Sequence, residues 1–456
     1  MERLFTRRGL SIFVTLFDLV IIYFSIFLAF IFYKDYLAVY EDSLSAIITL
    51  SPYIGLCYLI IAHIFELDKP KEFTLFGVAY SVILSILCLF LLTLSISFLT
   101  QKIAYPRSIM VISSFIEITL ISSWHLFINK KYLKYNVQKT VLIVGYSKTE
   151  EVARQILNSK SMWCNLKKIC TPNSKHLNEY ILEYDTIFLT DDVDEIVKQN
   201  ISEFCINNNK EFLYEPKYQE IFLFNANFVH IDDIPMLKTR PLDIDDGSNV
   251  LKRGIDLALV IIAIVIFSIP ASIVALCLKI GGGSVLYKQE RVTRGGKKFF
   301  IYKFRTMIEN AEAASGPVLA LEADKRITKF GHFMRATRLD EIPQLYNILT
   351  GDMSIVGPRP ERPFFVDQFS EEIPQYNLRH RVKAGLTGLA QVQGKYNTPA
   401  KDKLKYDLLY INNYSLALDI KLIMQTLTIL LKKSSTEGIK EESEFSRIIQ
   451  ELTEKE

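Results

Sequence analysis

Residues 255–280 read IDLALVIIAIVIFSIPASIVALCLKI, from Ile255 to Ile280, and this run decides how the chain meets a membrane. It exceeds the roughly 20 residues that a helix needs to cross a hydrocarbon core. Yet Pro270 sits inside it, where a proline deletes a backbone hydrogen bond and kinks a helix. Lys252 and Arg253 precede the run, and Lys279, Lys288, Arg291, Arg294, Lys297 and Lys298 end or follow it. A crossing helix would place one basic cluster outside, against the positive-inside rule. A re-entrant hairpin bent at Ser268-Ile-Pro270 keeps both clusters on one side and is the expected form. The alternative is an ordinary fifth span with a proline kink.

Upstream, further apolar runs occupy about 9–33, 45–65, 75–99 and 108–128, each near or above spanning length. The first is too long for a signal-peptide core, and no small-residue cleavage pattern follows it, so it reads as a retained helix. Arg3, Arg7 and Arg8 precede the first run, Lys69 and Lys71 separate the second from the third, and Lys130, Lys131, Lys134 and Lys139 follow the fourth. The loop after the first run carries Asp35, Glu41 and Asp42 against Lys34. This bias predicts a four-helix transmembrane bundle, residues 1–134, with both ends in the cytoplasm. Asp18 and Glu117 lie within the spans and are expected to face its interior.

The 456 residues are half hydrophobic yet 23% charged, which fits membrane segments joined to soluble domains. The net charge of +3 hides local excess and excludes little by itself. Cys57, Cys88, Cys164, Cys170, Cys205 and Cys277 show no zinc-ligand spacing, and the histidines are scattered, so no transition-metal site is expected.

Residues 135–248 read as a soluble α/β domain. Lys139 to Gly145 is an apolar strand ending in glycine, and Glu150 to Leu157 is the helix after it. Thr186 to Thr190 and Lys210 to Tyr214 are two more strands, with a helix over 191–206 between them. The turn reads Gly-Tyr-Ser-Lys-Thr from Gly145 to Thr149, without the later glycines of a dinucleotide fingerprint. A Rossmann-like shell without cofactor is the expectation; bracing, sensing or dimerisation are open roles.

Between Lys279 and Leu339 thirteen bases face five acids, a field suited to anionic headgroups and phosphorylated substrates. Arg338-Leu339-Asp340-Glu341-Ile342-Pro343 then opens a short helix that stops at Gly351. The two carboxylates at its start sit where a helix favours anions. Further on, Gly357-Pro358-Arg359-Pro360 fixes a guanidinium between two prolines, and Arg379, His380, Arg381 and Lys383 lead into Gly385-Leu-Thr-Gly388-Leu-Ala-Gln391.

With Tyr302-Lys303-Phe304-Arg305-Thr306-Met307, Leu339 to Gln344, Gly357 to Pro360 and Gly385 to Gln391 in this order, residues 249–433 resemble the catalytic domain of the monotopic phosphoglycosyl transferases, a family of bacterial sugar transferases. The four spans and α/β insert are similar to its large subgroup, the undecaprenyl-phosphate galactose- and glucose-phosphate transferases. Ala384 stands where that family often has proline, and Ser268 and Pro270 are spaced apart where many members place them together. The resemblance implies an α/β catalytic domain on the cytoplasmic face of the bacterial inner membrane, held by a re-entrant helix through Ser268 and Pro270. It implies transfer of a sugar-1-phosphate from a UDP-sugar to a polyprenyl phosphate, with UMP released. Asp340 would be the nucleophile, Glu341 a Mg²⁺ ligand, and Lys303, Arg305, Arg338, Arg359, Arg381 and Lys383 the phosphate clamps. Membrane lipid is an expected partner and a homodimer a further one; nucleic acid is not. Direct glycosyl transfer with UDP release, or a membrane scaffold or sensor without catalysis, are the competing readings. Residues 434–456, rich in glutamate with Phe445, Ile448, Ile449 and Leu452 at helical spacing, predict an acidic amphipathic helix that packs or pairs chains.

Overall fold

The computed structural model describes residues 7–36, 40–65, 67, 75–100, 105–135, 139–158, 164–308, 326–394, 398–431, 449 and 451–453. The chain forms two compact units, one of residues 1–216 with 434–456, the other of 217–433.

In the first unit, α1 (Arg7–Tyr33), α2 (Tyr40–Ile64), α3 (Leu75–Leu99) and α4 (Arg107–Tyr135) are each long and apolar enough to span a membrane. Helix α1 packs on α4 and α2, and α3 packs on α4 and α2. Asp18 and Glu117 are buried among them. Tyr58 donates to Asp18 Oδ2 at 2.9 Å and His125 Nε2 lies 3.0 Å from the same oxygen, so one carboxylate ties α1, α2 and α4 together.

The α/β part follows: β1 (Lys139–Val144), α5 (Thr149–Asn158), β2 (Cys164–Cys170), α6 (Leu177–Glu183), β3 (Thr186–Leu189), α7 (Glu195–Asn207) and β4 (Glu211–Tyr214). Its parallel sheet has the order β2-β1-β3-β4. Strand β2 and helix α6 were not anticipated: Lys167 and Lys168 in the middle of β2 break its apolar pattern, as charges often do on an edge strand. The turn after β1 closes on the chain's own Asp192, whose carboxylate accepts from Lys148 N at 3.0 Å and Ser147 Oγ at 3.1 Å, and from Thr190 Oγ1. Burial opposes that charge, but these bonds hold the Asp192 carboxyl below its ordinary value. Ile449 and Leu452 pack on Val141, Ile143 and Leu166; Phe445 and Ile448 lie outside the described residues.

The second unit comprises α8 (Tyr218–Leu223), β5 (Asn227–Ile231), β6 (Ile234–Lys238), α9 (Asp246–Ile280), β7 (Leu286–Val292), β8 (Lys298–Phe304), α10 (Lys329–Thr337), α11 (Gln344–Thr350), β9 (Met353–Val356), α12 (Pro363–Glu372), β10 (Ala384–Thr387), α13 (Leu389–Gln393), α14 (Ala400–Asn412) and α15 (Leu416–Leu431). This unit also takes in residues before 249: Ile221 is buried with Val292, Tyr376 and Leu404, and Ile244 with Val356 and Tyr410. Helix α9 runs unbroken through Ser268 and Pro270, so the expected bend there is not a break in the helix. Its first half places Val260 among Phe299, Ile301, Ile348 and Met353. Its last turns place Val274 and Leu278 among Phe304 and Met334. Between these anchors the apolar side chains are bare, with Val265 70% and Ile269 71% exposed.

Strands β9 and β10 pair in parallel, and glycines let their ends approach. A Cβ at Gly357 would overlap the Lys383 carbonyl oxygen, which is backbone and cannot swing away. Gly357→Ala is expected to destabilise the protein by about 1–3 kcal/mol, as overpacking does. Thermal unfolding in detergent checks this, with Gly254→Ala, which meets nothing within 4 Å, as the control that should not lose stability.

Candidate active site

Helix α10 ends at Arg338, which takes a left-handed conformation with φ 57°. That turn redirects the chain into a single 3-10 turn, Leu339–Glu341, which runs through Ile342 and Pro343 into α11. Asp340 and Glu341 therefore open a helical run, where the unpaired N–H groups favour negative charge.

Strand β8 brings the first cation. Phe299, Ile301 and Lys303 alternate on one face, and the first two fill the core under α9. Lys303 is carried inward with them, and its Nζ lies 3.0 Å from Glu341 Oε1. Arg359 Nη2 lies 3.2 Å from the same oxygen, and Arg338 Nη1 3.8 Å. Three cations thus converge on one carboxylate oxygen. Burial would push the Glu341 carboxyl up, but Lys303, Arg359 and Arg338 outweigh it and hold it well below the usual carboxylate range. Burial lowers the Lys303 ammonium from its ordinary value, against the pull of Glu341. Glu341 raises Arg359.

Asp340 differs although it is the next residue. It is 7% exposed, and its Oδ1 is buried without a hydrogen-bond partner. Burial raises its carboxyl above the ordinary value; Glu341 adds to this, while Lys303, Arg335 and Arg338 oppose it. The two neighbouring carboxylates are thus pushed in opposite directions. Glu341 is a locked anion, whereas Asp340 has an oxygen free for chemistry.

The structure gathers Asp340, Glu341, Lys303, Arg338 and Arg359. Three other expected clamps have different recorded surroundings. Arg305 donates to the carbonyl of Gly282, just after α9. Lys383 stands at the far end of α11: a Cβ on Gly351 would lie 3.6 Å from its Nζ and 3.4 Å from Arg253 Nη2. Burial and then Arg253 lower its ammonium. Arg381 is exposed at the end of the 3-10 turn Tyr376–Arg381.

Two residues given no role from the sequence bear on the site or on the residues around it. Arg335 donates through Nε to Thr306 Oγ1 at 3.0 Å and acts electrostatically on Asp340. Arg379 is buried against Asp407 at 2.8 Å. Arg335 lay in the basic run as one base among thirteen; the Arg379–Asp407 pair leaves no local spacing to find.

The bacterial sugar transferase family matches residues 247–433, which hold all of these side chains. A UDP-N-acetylgalactosamine-undecaprenyl-phosphate N-acetylgalactosaminephosphotransferase of Aeromonas hydrophila is 43% identical over 185 residues, 40% of this chain and 44% of that one. An uncharacterized sugar transferase of Haemophilus influenzae is 30% identical over 323 residues, 67% of this chain and 65% of its own. A UDP-glucose:undecaprenyl-phosphate glucose-1-phosphate transferase of Klebsiella pneumoniae is 34% identical over 244 residues, 51% of each chain. The matches cover between 44% and 65% of the length of these relatives.

Proposed function

We propose, from the premise that residues 247–433 belong to the bacterial sugar transferase family, that the chain moves a sugar-1-phosphate from a UDP-sugar to a polyprenyl phosphate at the cytoplasmic face of a bacterial inner membrane. The observation that carries this reading is the unpaired, buried oxygen of Asp340 beside a Glu341 held by three cations.

In the first step an Asp340 oxygen attacks the phosphorus that bears the sugar. The bond from that phosphorus to the UMP oxygen breaks, UMP leaves with the electron pair, and the sugar phosphate stays as an ester of Asp340. In the second step an oxygen of the polyprenyl phosphate attacks the same phosphorus. The Asp340 ester bond breaks, the carboxylate returns, and polyprenyl diphosphate-sugar is the product. A carboxylate is ionised already and needs no base to activate it. Lys303, Arg338 and Arg359 lower the repulsion between two approaching anions.

Magnesium fits this donor set. Among the described residues no cluster of three or more His, Cys, Asp or Glu forms, so an ion would rest on one or two carboxylates and on substrate phosphate, a pattern magnesium accepts. Glu341, kept ionised, would hold it, leaving the unpaired Asp340 Oδ1 to attack. When bound it would neutralise diphosphate charge.

Helices α1–α4 would form the transmembrane bundle, and α9 would enter and leave by the same face. Val260 and Val274 anchor α9 to one globular unit, and the helical rise from one to the other is only about 21 Å, short of a hydrocarbon core of roughly 30 Å. Anchors so close on one unit favour re-entry over a fifth crossing.

The test is incubation of the full-length protein with UDP-sugars and polyprenyl phosphate. UMP release that stops with a chelator is the expected result; UDP release, or no nucleotide release from any donor, overturns the reading. The pH profile follows from Asp340. It works ionised, so activity is present above its folded pKa and is lost as pH falls through it. Because that pKa is raised from 3.8, the acid limb lies above the ordinary aspartate range and follows one proton, Glu341 staying charged throughout. The alkaline limb lies below the ordinary lysine value of 10.5, where Lys303 loses its charge. Initial rates against pH check both limbs.

A further inference from the structure

The segment Pro358-Arg359-Pro360-Glu361 has prolines at two of its four positions, and proline brings no N–H to a ladder. All four of its carbonyls are nevertheless held. Pro358 O accepts from Gly385 N at 2.9 Å, and Glu361 O from Val292 N at 3.0 Å. The two carbonyls between them go to side chains: Arg359 O accepts from Arg379 Nη2 at 3.0 Å, and Pro360 O from Arg291 Nη1 at 2.9 Å.

These two guanidiniums are themselves fixed. Arg379 is 5% exposed; its Nη2 lies 2.8 Å from Asp407 Oδ2, and its Nη1 donates to Tyr376 Oη at 2.5 Å. Tyr376 and Asp407 are buried as well. Arg291 lies 3.5 Å from Glu361 Oε2 and donates to Gln289 Oε1. A surface loop would leave its carbonyls to water. This one is clamped on consecutive peptides, and its Arg359 guanidinium, 43% exposed, is the end that reaches Glu341.

We infer that Arg379, braced by Asp407 and Tyr376, is a positioning residue that fixes the peptide of Arg359, with Arg291 fixing the next one. This rests on the reading of Arg359 as a phosphate clamp above. The need is physical: a guanidinium stabilises a developing charge only if it is already aimed, and an error of about 1 Å can cost about 100-fold in rate. Lysine in place of Arg379 keeps the charge beside Asp407 but cannot reach Asp407, Tyr376 and the Arg359 carbonyl together.

The experiment is a double-mutant cycle on UMP release, with Arg379→Lys, Arg359→Lys and the pair, and thermal unfolding measured alongside. Arg379→Lys alone is expected to lower kcat by about 10- to 100-fold. In the Arg359→Lys background it should lower kcat by less than about threefold, because the group it aims is gone. An equal loss in both backgrounds means a structural role and overturns the inference, as does a wild-type kcat in Arg379→Lys. If Arg379→Lys does not fold, the same cycle with Arg291→Lys decides on the same criteria. Wild-type protein that releases no UMP from any UDP-sugar fails at the earlier step and removes the function and this inference together.

Discussion

Asp340→Asn is expected to stop transfer, cutting UMP release by about 10⁴-fold or more, the scale on which removal of a covalent nucleophile acts. Intact mass spectrometry of wild-type protein given a UDP-sugar alone should find a sugar-phosphate adduct, and the variant should show none. Stability moves the other way. A buried carboxyl whose pKa is raised is one whose charged form the fold disfavours, so near neutral pH Asp340 costs stability. Asparagine keeps the shape without the charge, and the unpaired Oδ1 breaks no bond when it is replaced. The unfolding temperature should therefore be unchanged or higher. Loss of turnover with retained or improved stability is the mark of a group kept for chemistry. Wild-type turnover in the variant would remove the covalent step.

How much of this was legible in the sequence depended on the range of the interaction. Asp340 and Glu341 were legible because they are adjacent and open a helix whose start and stop are written in Pro343 and Gly351. The first three strands named in the α/β domain appeared at or within two residues of their expected bounds, since their apolar runs are local. Strand β2 was hidden by its paired lysines. The part of the second unit before 249 was hidden too, because Ile221 and Ile244 reach their cores through contacts with residues far along the chain. Basic residues were easy to find but hard to rank. Lys303 and Lys383 look alike in sequence, yet strand alternation sends one to Glu341 while the other stands at the opposite end of α11. Arg379 was hard to rank because, beyond the nearby Tyr376, its partners are a loop carbonyl and an aspartate on α14.

Glu341→Gln should lower UMP release by about 10²- to 10³-fold, the range for losing a preorganised electrostatic group. Its effect on stability is the reverse of that at Asp340. Glu341 is the shared counter-charge of Lys303, Arg359 and Arg338, so a neutral amide leaves three cations facing one another. The expected loss is about 1–3 kcal/mol, kept modest because Arg338 and Arg359 are partly exposed to water. The sign with pH follows from the lowered carboxyl. Its stabilisation is full above the unfolded value near 4.5 and is lost as pH falls toward the folded one. The stability gap between wild type and Glu341→Gln should therefore be widest near neutral pH and should narrow as acid is added below that value. Unfolding in denaturant at a series of pH values reads it directly. Equal stability of the two proteins at pH 7 would mean that the three cations do not depend on Glu341. If instead the two neutral variants both cut transfer while moving stability in opposite directions, one carboxylate is the reacting group and the other the charge that holds its surroundings in place.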